Sequence, residues 1–202
     1  PQPLFYMVGI TGWNYFADCL VKTSTVFRDN AQIFGKVYFP RLIMPMSIVI
    51  GNLVRFGVQL LLMVAMMVWY SLHGTGMQVT WALALFPFSV VLMALLGLGM
   101  GLIITALTTK YRDLAFLVSF GVQLLMYGTT VIYPLSSIAP RFRTLILLNP
   151  MTGIIESIRY GLLGKGYLTF NTILYATAVT VLTLAAGILI FNKTEKNFID
   201  TV

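Results

Sequence analysis

Glu156 and Arg159 stand three residues apart in a short apolar piece of chain, a spacing that puts both on one face of a helix where they can pair. A structural ion pair is the default reading. The alternative is that they line the outer mouth of a conduit. Two more ionisable residues fall inside apolar runs, Asp18 near a run's far end and Arg55 near the middle of another. A charge at that depth is costly and usually faces a bundle interior or an aqueous path. Arg55 therefore reads as a contact for an anionic group such as a phosphate, or as a residue that lies shallower than it looks or pairs locally.

No grouping carries catalytic chemistry. A phosphate-binding loop needs a glycine-rich turn ending in Gly-Lys-Ser/Thr, so that backbone amides and a lysine cradle the phosphates. Gly35-Lys36-Val37 and Gly164-Lys165-Gly166 lack both the hydroxyl residue and the upstream glycine, so this chain does not hydrolyse ATP by itself. GxSxG, HExxH and paired aspartates are absent, which leaves an intramembrane enzyme as a minor alternative. Cys19 is the only cysteine and His73 the only histidine, so neither a disulfide nor a multi-ligand Cys/His metal site forms within one chain.

The elements that must position these residues are membrane helices. Of 202 residues, 58% are hydrophobic and 9% charged, against about 25% charge in a soluble domain. The thirteen Lys and Arg and six Asp and Glu give a net charge of +7. Basic residues in short loops between apolar runs report membrane orientation and contact with anionic lipid headgroups, not nucleic acid. A bilayer core of about 30 Å needs roughly 20 apolar residues, and five runs qualify: residues 3–21, 42–70, 81–107, 114–133 and 173–191. Gly97 and Gly101 in the third run form a GxxxG spacing that lets another helix approach closely. The fourth run stops at Pro134, which cannot continue the hydrogen-bond ladder.

Between Pro134 and the fifth run lie two apolar pieces, residues 144–148 and 151–163, separated by Asn149 and Pro150. Neither is long enough to span, so they read as a re-entrant outer hairpin. Lys22, Arg28, Lys36, Arg41, Lys110, Arg112, Lys193 and Lys196 fall on one side, eight against the four of Arg141, Arg143, Arg159 and Lys165. That asymmetry places the C-terminal tail in the cytoplasm. Five spans then put Pro1 outside and imply a missing upstream span, in one membrane domain that is N-terminally truncated. Trp13, Tyr15, Tyr127 and Tyr133 are explained by interface anchoring or core packing, though such rings also stack on sugars where the substrate is a glycan. Residues 27–40 are amphipathic: Ile33, Phe34 and Val37 share one side of a helix while Arg28, Asp29, Asn30 and Lys36 stay polar. The segment is either a plain interfacial helix or a docking helix for a soluble partner.

Three local patterns carry a family likeness. They are Gly9 to Leu20 (GITGWNYFADCL), the stretch from Asn30 through Phe39-Pro40-Arg41 to Met44-Pro45, and the ordered set Lys110-Tyr111-Arg112-Asp113-Leu114, Tyr133-Pro134, Asn149-Pro150 and Arg159. Together they resemble the permease subunits of type-2 ABC exporters for O-antigen, teichoic acid and capsular polysaccharide. The resemblance covers nearly the whole chain. It implies an all-α polytopic bundle in a bacterial inner membrane, with about five of six spans present, an outer re-entrant hairpin and a cytoplasmic coupling helix. It further implies a homodimer coupled to two ABC ATPase subunits that bind ATP and Mg, with a lipid-linked glycan passing between the two permeases. On that reading Arg28, Asp29, Asn30, Ile33, Phe34, Lys36 and Val37 couple to the ATPase. Trp13, Tyr15, Arg55, Tyr127 and Tyr133 line the path, and Pro134, Asn149, Pro150, Glu156 and Arg159 form the outer gate. A permease of the same architecture for a drug or simple lipid is the alternative.

Overall fold

A computed structural model of the chain describes residues 2–30, 40, 42–73 and 80–199, with side chains described through residue 194. Every regular element among them is helical, as a chain without water must be if each strand edge would leave backbone groups unpaired in hydrocarbon. In chain order they are α1 (Gln2–Ser24), the short α2 (Val26–Asp29), α3 (Ile43–Leu72), a 3₁₀ turn (Trp81–Leu85) leading into α4 (Phe86–Lys110), α5 (Leu114–Tyr127), a three-residue 3₁₀ piece (Leu135–Ser137), α6 (Pro140–Leu147), α7 (Pro150–Leu163) and α8 (Phe170–Ile199). The segments Ile43–Leu72, Trp81–Lys110 and Phe170–Thr194 are long and apolar enough to cross a membrane. Helix α1, at 23 residues, spans about 34 Å but carries Asn14, Asp18 and Lys22. These helices make the chain a multi-pass membrane bundle.

The expected fourth span is shorter than its apolar run. Helix α5 has 14 residues, about 21 Å, and ends at Tyr127 instead of continuing to Tyr133. The chain turns over residues 128–131, where the Thr129 hydroxyl donates to the Leu125 carbonyl at 2.8 Å. The carbonyls of Thr130 and Val131 are taken by the Arg159 guanidinium, so a side chain from another element replaces the helical ladder. The hairpin expected from residues 144–148 and 151–163 is formed by α6 and α7, of eight and 14 residues.

Helix α4 lies between α1 and α8, and its glycines set the separations. A Cβ on Gly97 would stand 2.9 Å from the Phe16 carbonyl oxygen, and one on Gly101 2.6 Å from the Thr23 Cβ. On the opposite face, a Cβ on Gly99 would stand 2.8 Å from the backbone nitrogen of Leu184. In a membrane, where lipid is as apolar as leucine, such backbone contact is what holds helices together. Near the far end of α1, Thr105 donates to the Thr23 carbonyl at 2.7 Å and Thr108 donates to that of Ser24. Those are carbonyls that the last turn of a helix leaves unpaired. Just beyond, Phe27 stacks on Phe191 with ring centroids 4.7 Å apart. Helix α3 runs antiparallel beside α1, with Lys22 Nζ donating to Asn52 Oδ1 at 2.7 Å. Its outer face, including Val54, Leu61, Leu62 and Trp69, is exposed and apolar, as suits a lipid-facing surface.

These contacts separate two kinds of glycine. Gly97→Ala and Gly101→Ala should each destabilise the purified chain by about 1–3 kcal/mol, because the added methyl overpacks the α1 contact. Gly121→Ala, where nothing stands within 4 Å, should be neutral or stabilising by up to about 1 kcal/mol through helix propensity. Unfolding in detergent would check this, and equal effects at all three positions would remove the packing role.

Candidate functional site

The end of the bundle at which α1, α4 and α8 begin is closed by α7, which packs on α1, the 3₁₀ turn, α4 and α8. Its start is set by Asn149 and Pro150. Asn149 Oδ1 accepts from the Met151 backbone at 3.1 Å, which caps the helix, and its Nδ2 donates to Thr129 Oγ1 at 2.8 Å. Pro150 occupies the first helical turn, where no N–H is needed. The Tyr175 hydroxyl donates to the Leu148 carbonyl at 2.8 Å, so the hairpin turn is held from α5 and α8 together.

Inside this hairpin, Arg159 Nη1 donates to Glu156 Oε1 at 3.0 Å, with the two side chains 0% and 3% exposed. The guanidinium also donates to the carbonyls of Thr130 and Val131, and its centre lies 3.7 Å from the Phe5 ring centroid. Gly9 makes room for it: a Cβ there would collide with Arg159 Nη2. Glu156 Oε2 accepts from the Tyr167 backbone at 3.2 Å, which ties down the chain after Gly164, the one positive-φ residue (64°) among the described residues. Arg159 was expected among the loop cations of the hairpin side; its burial corrects that, leaving Arg141, Arg143 and Lys165 there. The cause is that Glu156, two carbonyls and an aromatic face replace the water an exposed arginine would use.

Beside the pair opens a cleft of about 930 Å³, lined by Phe5 and Tyr6 of α1, Pro134 and Leu135, Arg143 and Leu147 of α6, Glu156 and Leu163 of α7, and Lys165 and Tyr167. Arg143 donates from Nε to the Ile138 carbonyl at 3.0 Å and from Nη2 to that of Ser136 at 3.1 Å. Tyr133 donates to the Tyr127 carbonyl at 2.8 Å. Of the residues assigned to the gate, Asn149 and Pro150 open α7, Glu156 and Arg159 pair within it, and Pro134 lines the same cleft as Glu156. Phe5, Tyr6, Arg143, Lys165 and Tyr167 join them although no motif marked them, because the chain brings them together from three segments.

The residues assigned to the path are dispersed. Trp13 and Tyr15 are enclosed, 3% and 2% exposed; Trp13 packs on Phe16, and Tyr15 packs on Phe56 while donating to the Val49 carbonyl. Arg55 pairs with Asp18 at 2.8 Å on the outside of the α1–α3 seam, and Tyr127 is 59% exposed. At the opposite end, Asp29 closes α2: it accepts from the Thr25 hydroxyl at 2.6 Å and pairs with Arg28 at 2.9 Å, while Asn30 Nδ2 donates to the Val26 carbonyl at 2.9 Å. Ile33, Phe34, Lys36 and Val37 lie outside the described residues, as do Arg41 and the side chain of Lys196.

The buried pair has a measurable consequence. Arg159→Leu should cost about 3–5 kcal/mol, because it strands a buried carboxylate. The double variant Arg159→Leu, Glu156→Leu should recover much of that loss. Thermal unfolding in detergent of the wild type, both single variants and the double variant would check it, and additive losses would show that the two side chains act independently.

Residues 4–163 match the family model described as ABC-2 type transporter. The chain is 30% identical over 202 residues to the O-antigen export system permease protein RfbA of Myxococcus xanthus, covering 99% of this chain and 76% of that protein. It is likewise 30% identical over 200 residues to an RfbA permease of Klebsiella pneumoniae, covering 98% and 74%. With a family match over most of its length, relatives aligned over almost the whole of this chain and the membrane bundle described above, the chain belongs to the ABC-2 type transporter family, as a membrane subunit whose ATPase is a separate chain.

Proposed function

We propose that this chain exports a lipid-linked polysaccharide across a bacterial inner membrane, as a dimer of permeases driven by two ABC ATPase subunits. The observation that carries the reading is its likeness, over almost its whole length, to permeases named for O-antigen export. ATP and Mg bind on the ATPase; this chain holds no cofactor. It forms one permease domain.

The orientation follows from charge. Lys22, Arg28, Lys110, Arg112 and Lys193 lie at one end of the helices and Arg141, Arg143 and Lys165 at the other. The first end, with the C-terminus, is then cytoplasmic and the α6–α7 hairpin faces out as the gate. On this reading Arg55 and Tyr127, which reach the surface of the chain, contact the moving glycan. The polar residues Arg28 to Asn30, with Ile33, Phe34, Lys36 and Val37, receive the ATPase. A helix that lays three apolar side chains into a partner groove contributes about 1.5–3 kcal/mol for each before ordering costs.

Deleting the gene in its host should abolish surface glycan and leave polymer inside the cell, and the wild-type copy should restore it. Normal surface glycan in the deletion strain would sink the export reading. Phe34→Ala should uncouple ATPase activity from export while the membrane domain stays folded; unchanged export with unchanged ATPase binding would remove the coupling role. In intact cells an impermeant thiol reagent should label Lys165→Cys and spare Lys110→Cys. The native Cys19 is buried and silent. The reverse pattern would invert the topology.

A further inference from the structure

Pairing Glu156 with Arg159 changes the charge balance of the cleft beside them. Glu156 is the one acidic residue in the cleft lining, and its charge is already compensated. Arg143 and Lys165 are left there as two cations with no carboxylate partner among the described residues. Arg143 is also held in place. Its Nε and Nη2 donate to the carbonyls of Ile138 and Ser136, which orients the guanidinium without neutralising it. A planar guanidinium fixed in this way suits the paired oxygens of a phosphate, and a lysine adds a second point charge.

The remaining lining is of a different kind. Phe5, Leu135, Leu147 and Leu163 are apolar, and Tyr6 and Tyr167 are each 42% exposed, presenting a ring face and a hydroxyl. Apolar walls lower the local dielectric and strengthen the attraction of the two cations for an anion. At about 930 Å³, the space is near the upper end of the roughly 300–1,000 Å³ of small-molecule sites, far more than a bare phosphate fills. Charge and size together call for a ligand that is anionic at one point and apolar or ring-bearing elsewhere.

We propose that this cleft binds a phosphate ester carried on an amphiphile. Arg143 and Lys165 take the phosphate, and Phe5, Tyr6 and Tyr167 take the group attached to it. The same chemistry is offered by a membrane phospholipid and by a phosphate-linked carrier lipid, and its anionic part alone by free phosphate. The inference goes beyond the export reading and is measured without nucleotide or transport, so either can fail while the other stands.

The test uses the full-length permease with its ATPase, carrying Ser136→Cys labelled with an environment-sensitive dye. Ser136 is exposed on the cleft lining, and Cys19 is 0% exposed, so within residues 1–202 the dye reaches the introduced thiol; the same preparation without Ser136→Cys is the labelling control. Short-chain phosphatidylglycerol should shift the dye at about tenfold lower concentration than diacylglycerol of the same chain length, the ratio expected for charge-assisted hydrogen bonds to a phosphate. Inorganic pyrophosphate distinguishes the sources. Reversal of the shift would identify phosphate alone as sufficient, whereas no reversal beside a clear phosphatidylglycerol preference would identify a lipid-borne phosphate; both support the site. Lys165→Gln removes no hydrogen bond among the described residues, so it keeps the fold and should abolish most of the preference. Arg143→Gln should do so at least as strongly. Equal response to the two lipids, or a preference that survives Lys165→Gln unchanged, would overturn the proposal.

Discussion

A guanidinium with no exposure to water is the constraint around which the hairpin end of this protein is built. Arg159 has five donors to place and a charge to compensate, and an uncompensated ion in a low-dielectric interior costs several kcal/mol. The structure answers at Nη1 and Nη2 with one carboxylate and two backbone carbonyls and over the guanidinium plane with an aromatic face, drawn from α7, from the turn after α5 and from α1, while Nε has no hydrogen-bond partner among the described residues. Each partner thereby has its own position set. In the turn at residues 128–131 the carbonyls of Thr130 and Val131 are used by arginine instead of by a helix. Gly9 lacks a side chain because the guanidinium occupies that space. Glu156 reaches on to the Tyr167 backbone, so the chain that leads into α8 is tied to the same node.

Away from that node the contacts among α1, α4 and α8 rest on closeness, and charge enters at the α1–α3 seam through Arg55 and Asp18. Helix α4 uses Gly97 and Gly101 against α1 and Gly99 against α8, and Thr105 and Thr108 satisfy the last carbonyls of α1. This division suits a membrane solvent. Apolar side chains gain little by moving from lipid to protein, so backbone contact and short hydrogen bonds must supply the specificity. The two regions also differ in what they permit. A glycine-lined seam has one close arrangement and resists sliding, while the hairpin is fastened by hydrogen bonds at Asn149 and Tyr175, by the Arg159 node and by the buried apolar face of α7.

The neutralised Glu156–Arg159 pair also decides the chemistry of the neighbouring cleft. Were Glu156 free, it would offset one of the two cations that line the space. Paired, it leaves the cleft basic on one side and aromatic on another. The interaction that stabilises the hairpin and the electrostatics of the surface beside it are therefore the same arrangement seen from inside and outside.

Much of this protein is determined by its sequence alone. A chain with 58% hydrophobic residues, 9% charge and several runs of about twenty apolar residues can satisfy its backbone in lipid only as helices. The i, i+3 spacing of Glu156 and Arg159, the Asn149-Pro150 break and the GxxxG of α4 are likewise local signals, and each describes a contact or cap that the structure contains. Tertiary structure decided what local spacing cannot encode. Helix α5 stops at Tyr127 although its apolar run continues, and the carbonyls of Thr130 and Val131 beyond it are taken by a side chain nearly thirty residues away. Arg159 reads as a loop cation until Phe5, Gly9 and the turn at 128–131 close over it. Trp13 and Tyr15 carry the same aromatic character as Tyr127, yet α3 and α4 enclose the first two and leave the third open. The cleft that joins Phe5, Arg143, Lys165 and Tyr167 has no sequence signature, since burial and charge compensation are properties of the neighbours that folding supplies.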